Sequence, residues 1–464
     1  MRRPSRRYLQ ALLAALSLLP HIQPCALPQL PAAHPRHHPS LDQHQQILLA
    51  PSTTDSLYHE ADHPLAPPPP PPPPPPAAAA DPEPDDDEED DTLLLNLLPS
   101  SPLALPLRPI LPLNFPDPSI LLSPHDGTYY AYATAGGRKQ VQIASSPFVE
   151  GPWTYLDDVD PLPDPGEWTT GDDIWAPDKG VAEGTYVMYY SARPKPLVIP
   201  APDTLNISNP LTNSSGSGPA PGSAESVLLP QHYCLALATS PSPLGPFLPL
   251  PTPWACAQDR GGIIDPSGFL DPTTNKRYVV YKIDGNSVGN GGSCGNGVAP
   301  LKSTPIMLQE VDVRDGITKV WGEAREILDR GEWERDGALV EAPSLTYIPF
   351  PAGGGDGDGV DGGKGNYVLF YSSHCWSEEG YDVNFAVAER VEGPYRRSRS
   401  NPLLKTGDWG LVAPGGATVV EPGEDAEGGL GLVLHANCPG GRCMFGGDFE
   451  VELGEGMREG VGAR

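Results

Sequence analysis

Five short segments with a proline near their middle, each followed by a run of aromatic and β-branched residues, narrow the folds open to this chain more than any other feature. NFPDPSIL precedes TYYAYAT, IWAPDKG precedes TYVMYYSA, IIDPSGFLD precedes RYVVYKID, LVEAPSLTY precedes NYVLFYSS, and LVAPGGATVV precedes GLVLHAN. In most copies a third strand follows and runs into a Gly-Pro turn, as in VQIASSPFVEGPW, YCLALATSPSPLGPF and NFAVAERVEGPY. Such runs between Gly/Pro turns, without a sustained helical period, mark an all-β domain. The copies recur roughly every 60 to 90 residues. A unit of three or four antiparallel strands repeated five times predicts a five-bladed β-propeller over residues 111–455. The innermost strand of each blade lines the axis of such a fold, so motif residues far apart in sequence converge there.

That convergence accounts for a residue otherwise out of place. Glu341 stands in an apolar strand beside a proline, where an uncompensated carboxylate is costly. Asp117 in the first motif and Asp265 in the third read as its counterparts, at matching places in three repeats. Three carboxylates at one mouth of the axial channel repel one another, and their pKa values separate. Two carboxyl groups of unlike proton affinity are what acid–base cleavage of a bond between them needs. Trp175, just before the second proline, either stacks on a sugar ring or fills the propeller core. His435 is expected on the fifth blade near the axis, with Arg442 on the next strand. HCWSEEGYD reads as a loop of the fourth blade that carries Cys375, Trp376 and Tyr381.

With all five motifs in order, residues 112–450 resemble glycoside hydrolase family 43, whose members are secreted five-bladed propellers acting on arabinans, arabinoxylans and xylo-oligosaccharides. The resemblance implies that Asp117 is the general base, Glu341 the general acid, and Asp265 the residue that orients Glu341 and keeps its pKa high. It implies a structural role for Asp178 of WAPDKG. The implied mechanism is inverting, for which carboxyl separations of about 6.5–9.5 Å are typical, against about 5–5.5 Å for retaining enzymes. Trp175, His435 and Arg442 are carried over as substrate contacts. No cofactor is required, although an axial Ca2+ or Na+ near His435 is open. The fifth motif departs from the family pattern, reading APGGATVV where many relatives place a histidine after Gly-Pro-Gly. The implied activity is release of α-L-arabinofuranosyl ends from arabinan or arabinoxylan of the plant cell wall. β-Xylosidase and endo-α-1,5-arabinanase action, and a non-catalytic carbohydrate-binding propeller, are the alternatives. Fructan-cleaving propellers carry different motifs from FPDPS, IIDPS and VEAPS.

The rest of the chain frames this domain. Residues 1–26 have four arginines before a short apolar stretch, the order of a secretory signal peptide. Residues 27–110 hold an unbroken proline run and a block of acids, which predict a disordered linker. Segments 196–230, 352–365 and 421–431 read as loops, the first carrying sequons at Asn206 and Asn213. Six cysteines remain after the leader, and their pairing is open, with Cys438 and Cys443 near enough to pair locally. The net charge of −29 shows no basic face for nucleic acid, and no segment is long and apolar enough to span a membrane. A secreted monomer with a neutral polysaccharide partner is expected.

Overall fold

The structure, a computed structural model, describes residues 94–98, 107–200, 226–229, 231–349, 365–420 and 430–452. The leader 1–26, the proline run, both sequons and nearly all of the Gly/Asp run at 352–365 lie outside the described residues. Five antiparallel sheets form the blades. Blade one is Ser119–Leu122, Tyr129–Ala133, Gln142–Ser146 and Thr154–Tyr155. Blade two is Trp175–Ala182, Thr185–Ala192, Cys234–Ser240 and Leu248–Pro249, with Ala255–Cys256 also paired to its third strand. Blade three is Ile263–Leu270, Arg277–Ile283, Ile306–Val311 and Arg325–Leu328. Blade four is Val340–Pro349, Gly365–Ser373, Asp382–Ala388 and Arg396–Arg397.

Blade five corrects the expected boundary of the linker. Its strands are Gly415–Val420, Leu430–Cys438 and Gly441–Glu452, and its outermost strand is Leu94–Leu98, from within the stretch 27–110. Leu94 pairs with Glu452 and Leu98 with Asp448, so the ring is closed by the two ends of the domain. Residues 107–115 continue along the same blade, with the Leu107 N–H on the Trp409 carbonyl and Phe115 N–H on that of Arg442. The stretch 196–230 is likewise not all loop, because Leu197–Pro200 pairs with Ser226–Leu229.

Apolar residues on both faces of each sheet fill the gaps between neighbouring blades. Ile143, Tyr132 and Tyr190 meet between blades one and two, and Leu235, Val279 and Tyr281 between two and three. Val280, Leu308 and Leu369 pack between blades three and four, Phe370, Phe385 and Leu434 between four and five. Ile120, Ala144, Val433 and Met444 close the ring between five and one. Strands covered on both faces need near-continuous apolar runs, which is why YVVY and YVLFY lack a polar alternation.

The proline motifs shape the inner ends of the blades. In blades two, three and four the ladder skips two residues, between Trp175 and Asp178, Ile264 and Ser267, and Glu341 and Ser344. The first skipped residue has a left-handed φ, 43° at Ala176, 54° at Asp265 and 50° at Ala342, and the second is the proline. Asp117, before Pro118, has the same conformation at 55°. Left-handed backbone costs a residue with a side chain roughly 1–3 kcal/mol and clusters at functional sites. In blade five the skip lies between Gly415 and Thr418, three residues later than the proline would place it. Gly416, with φ 57°, and Ala417 therefore stand where the other blades have a residue and its proline.

This alignment corrects the repeat equivalence. Asp117 and Asp265 occupy the left-handed position. Glu341 precedes it, and its counterparts are Trp175 and Ile264.

Candidate active site

The left-handed residues and their successors from all five blades line one axial cavity, with Asp117, Asp178, Asp265, Ala342, Gly416 and Thr418 among its walls. Two of the three predicted carboxylates are thus placed by a backbone kink. Glu341, one residue before the kink of blade four, is 7% exposed and comes just before Ala342 and Pro343 in sequence, outside the set of residues that line this cavity.

Asp117 sits in a cationic corner. Thr134 Oγ1 donates to its Oδ2 at 2.5 Å, and Arg442 Nη1 stands 3.7 Å from Oδ1. Burial pushes the Asp117 carboxyl up, but Arg442, His435 and the Thr134 hydroxyl together outweigh it and hold the group below its ordinary value. The Asp117 N–H donates to His435 Nδ1 at 3.0 Å, which puts the ring proton on Nε2. Burial drives His435 down to about 3, so its imidazole is neutral, and the charge holding Asp117 ionised is that of Arg442. The Arg442 guanidinium in turn lies 4.9 Å from the Trp376 ring centre.

Asp265 and Glu341 form the opposite corner. The Asp265 N–H donates to Ser191 Oγ at 3.1 Å, and its Oδ2 accepts the Ala342 N–H at 3.0 Å. Burial pushes the Asp265 carboxyl up to about 8, reinforced by Glu341 and, less, by Asp117, against the pull of Lys282. Asp265 therefore carries a proton at neutral pH, with the buried Glu341 as its like-charged neighbour. Glu341 Oε2 receives a hydrogen bond from Lys282 Nζ at 3.0 Å. Asp178, expected to be structural, is buried and accepts from Ser119 Oγ of blade one and from the Gly268 N–H of blade three at 2.7 Å. It ties three blades together.

Trp175 is half-buried at the same level of its strand as Glu341, with its ring stacked on Tyr233 at 4.2 Å and the Arg193 guanidinium 4.8 Å from the Tyr233 ring centre. His435 is fully buried beneath Gly416, where an added Cβ would lie 2.7 Å from the imidazole and 3.2 Å from Asp117 Oδ1. The site there admits glycine alone. The His435 tautomer leaves an N–H at Nε2, not a lone pair, and that N–H is buried without a hydrogen-bond partner among the described residues. No three His, Cys, Asp or Glu side chains among the described residues could hold a metal ion together. His435 in this arrangement does not fit a direct metal ligand.

Two residues of the site, Lys282 and Thr134, were missed in the sequence. Lys282 lies inside RYVVYKID, an ammonium in an apolar strand, which is the same anomaly as Glu341. Thr134, just past the end of TYYAYAT, gave no signal of its own. Tyr381, read in the sequence as part of a loop of the fourth blade, is buried with its ring parallel to His435 at 5.8 Å. The loop that carries Tyr381 and Trp376 is tied to blade three by Cys294–Cys375, and the other disulfides are Cys234–Cys256 and the expected Cys438–Cys443.

A five-bladed propeller with carboxylates of opposed proton affinity around its axis defines a glycosidase-type scaffold. The family model for glycosyl hydrolases family 43 matches residues 106–448, and the chain belongs to that family. A solved thermostable family-43 glycoside hydrolase matches with a TM-score of 0.52 and 23% identity, over 74% of this chain and 95% of that one; at this identity the likeness concerns the fold. A probable arabinan endo-1,5-alpha-L-arabinosidase A of Aspergillus fumigatus is 37% identical over 78 residues, 17% of this chain and 23% of the relative. A probable arabinan endo-1,5-alpha-L-arabinosidase C of Aspergillus niger is 40% identical over 78 residues, 16% and 23% of the two chains. The chain thus matches less than a quarter of the length of these curated relatives.

Proposed function

We propose that the protein is an inverting glycoside hydrolase that releases α-L-arabinofuranosyl units from the ends of arabinan or arabinoxylan chains. The observation that carries this reading is the pair of corners, one holding Asp117 ionised and the other holding a proton on Asp265, whose neighbour is Glu341. The glycosidic oxygen takes the proton of Glu341 as its bond to the anomeric carbon breaks. A water oxygen bonds to that carbon from the opposite face and gives a proton to Asp117. Solvent then carries the proton from Asp117 back to Glu341. Trp175, the blade-two counterpart of Glu341, offers its ring to the apolar face of the sugar, and Arg442 its guanidinium to hydroxyls. The three disulfides support an oxidising compartment, in keeping with secretion.

The printed names of the matched relatives favour a second reading, endo cleavage of α-1,5-arabinan. Both readings meet one experiment. Incubation with debranched arabinan, followed by chromatography and anomeric proton NMR, is expected to release arabinose from the first minutes with inverted configuration. Mixed oligosaccharides at early times would select the endo reading. Retained configuration, or full activity in Glu341→Gln, would overturn the assignment. 4-Nitrophenyl β-D-xyloside tests the xylosidase alternative in parallel.

A further inference from the structure

One position on the second strand of each blade ties that blade to the next. Thr134 Oγ1 accepts the N–H of Ala176 at 2.9 Å, Ser191 Oγ that of Asp265 at 3.1 Å, Ser372 Oγ that of Gly416 at 2.9 Å, and His435 Nδ1 that of Asp117 at 3.0 Å. Every donor is the left-handed residue of the neighbouring blade. Ser191, Ser372 and His435 each stand across the ladder from the residue before their own blade's left-handed one.

The corresponding position in blade three is Lys282, opposite Ile264. An ammonium has three donors and no acceptor. The Ala342 N–H accordingly goes to Asp265 Oδ2, at 3.0 Å. The Lys282 ammonium, wholly buried, lies 3.0 Å from Glu341 Oε2 and 3.0 Å from Asp284 Oδ1. Burial opposes its charge, but Asp284, Glu341 and Asp265 outweigh burial and keep it cationic. The single joint whose acceptor is replaced by a cation is the joint that bears the glutamate. A stitch between blades needs no lysine, as the other four show. A buried cation placed for packing alone would also be a poor choice, since removing two charges from water costs several kcal/mol per ion, on the order of what the pairing returns.

We propose that Lys282, itself held by Asp284, is a positioning residue for the reaction: it pins one oxygen of Glu341 and stands as the counter-charge in contact with that carboxyl when it gives up a proton. This rests on the reading of Glu341 as proton donor. The charged and titratable groups facing the Asp265–Glu341 pair are Lys282 from the second strand of blade three and Asp284 just past its end, Asp117 from blade one, and Tyr381 from the loop of blade four. Without an ammonium, two carboxyls and Asp117 would hold a proton too firmly for donation near neutral pH. With it, the donor is a stronger acid, and the carboxylate left after transfer has a counter-charge already in contact.

The test compares Lys282→Met, Lys282→Arg and Asp284→Asn in the full chain. One readout is the pH profile of arabinan hydrolysis. The other is infrared titration of the buried carboxyl band, assigned with Asp265→Asn and Glu341→Gln. Removing the cation is expected to raise both the alkaline limb and the carboxyl titration by about one to three pH units, the usual effect of an opposite charge at this range, with kcat down about 10²-fold. Removing the Asp284 charge is expected to move both the other way. Lys282→Arg is expected to leave both near the wild-type position while lowering kcat. Should Lys282→Met fail to fold by near-ultraviolet circular dichroism, the downward shift in Asp284→Asn beside unmoved readouts in Lys282→Arg carries the result. Lower activity with an unmoved limb and an unmoved carboxyl titration would make Lys282 structural and overturn the proposal. If the wild type hydrolysed nothing, the functional reading would fall, and with it the role in a reaction, whatever the infrared titration showed; an active wild type with unmoved profiles sinks only the role of Lys282.

Discussion

The two corners of the axial site use the same chemical group to opposite ends. Asp117 keeps company with Arg442 and the Thr134 hydroxyl, and these outweigh the cost of its burial. Asp265 and Glu341 are set against each other, and burial adds to the repulsion. A repeat fold makes the contrast easy to build. The kink that aims Asp117 inward in blade one is the kink that aims Asp265 inward in blade three, so the difference resides in their surroundings, chiefly Arg442 from blade five in the one case and Glu341 from blade four in the other. Proton affinity here is set between blades.

The largest expected effect breaks the comparison through the leaving group. Asp117→Asn should lower kcat on arabinan and on 4-nitrophenyl α-L-arabinofuranoside alike, by ~10²–10⁴-fold. Glu341→Gln should do so on arabinan but far less on the nitrophenyl glycoside, whose leaving group needs no proton. Equal losses of both variants on both substrates would abolish the division of labour. Next, Arg442→Met should let the Asp117 pKa rise. The base must be ionised, so the acid limb of the pH–rate profile should move up by about one unit, with activity on its plateau down several-fold. An unmoved limb would mean that Arg442 serves substrate alone.

Asp265→Asn sharpens the contrast through stability. A carboxyl raised to about 8 in the folded state, and near 3.8 when unfolded, binds its proton more tightly folded between those values. Its contribution is therefore fully present below about pH 4 and is lost as pH rises through 8. The asparagine variant should show a shallower fall of Tm across that window, by a few degrees at its alkaline end. A parallel curve would place the proton elsewhere. The smallest effect belongs to Thr134→Val, which removes one hydrogen bond to Asp117 and the acceptor of the Ala176 N–H. Its acid limb should shift in the direction of Arg442→Met by a few tenths of a unit, and it should lose about 1–3 kcal/mol for the N–H left bare, read by urea denaturation.

The five blades were legible because each motif lies next to the strand it turns into, and local turn chemistry is written locally. The convergence of Asp117, Asp265 and Glu341 followed from the repeat alone. Their register did not. A proline marks the kink in four blades, yet Pro414 does not mark it in the fifth, because Gly416 reaches a left-handed φ without help and His435 leaves room for nothing larger. Glu341 looked equivalent to Asp117 because a carboxylate beside a proline motif is a stronger signal to the eye than a shift of one residue. Lys282 was passed over for the converse reason: RYVVYKID fits a strand so well that its one charge went unquestioned. Leu94–Leu98 sits between a block of acids and a Pro/Ser stretch, and its partner strand lies more than 340 residues away, beyond the reach of any local pattern.

That last strand governs the order of events when the protein is made. The first blade-forming segment to leave the ribosome belongs to the last sheet to be completed, so it waits unpaired while four blades assemble behind it. Closure of so long a loop is slow, and until it happens Gly441–Glu452 is an open edge able to recruit another chain. A chain shortened from its beginning to residue 99 would keep every residue of the axial site and lose the latch, and its failure would show as aggregation during synthesis before any loss of chemistry could be measured.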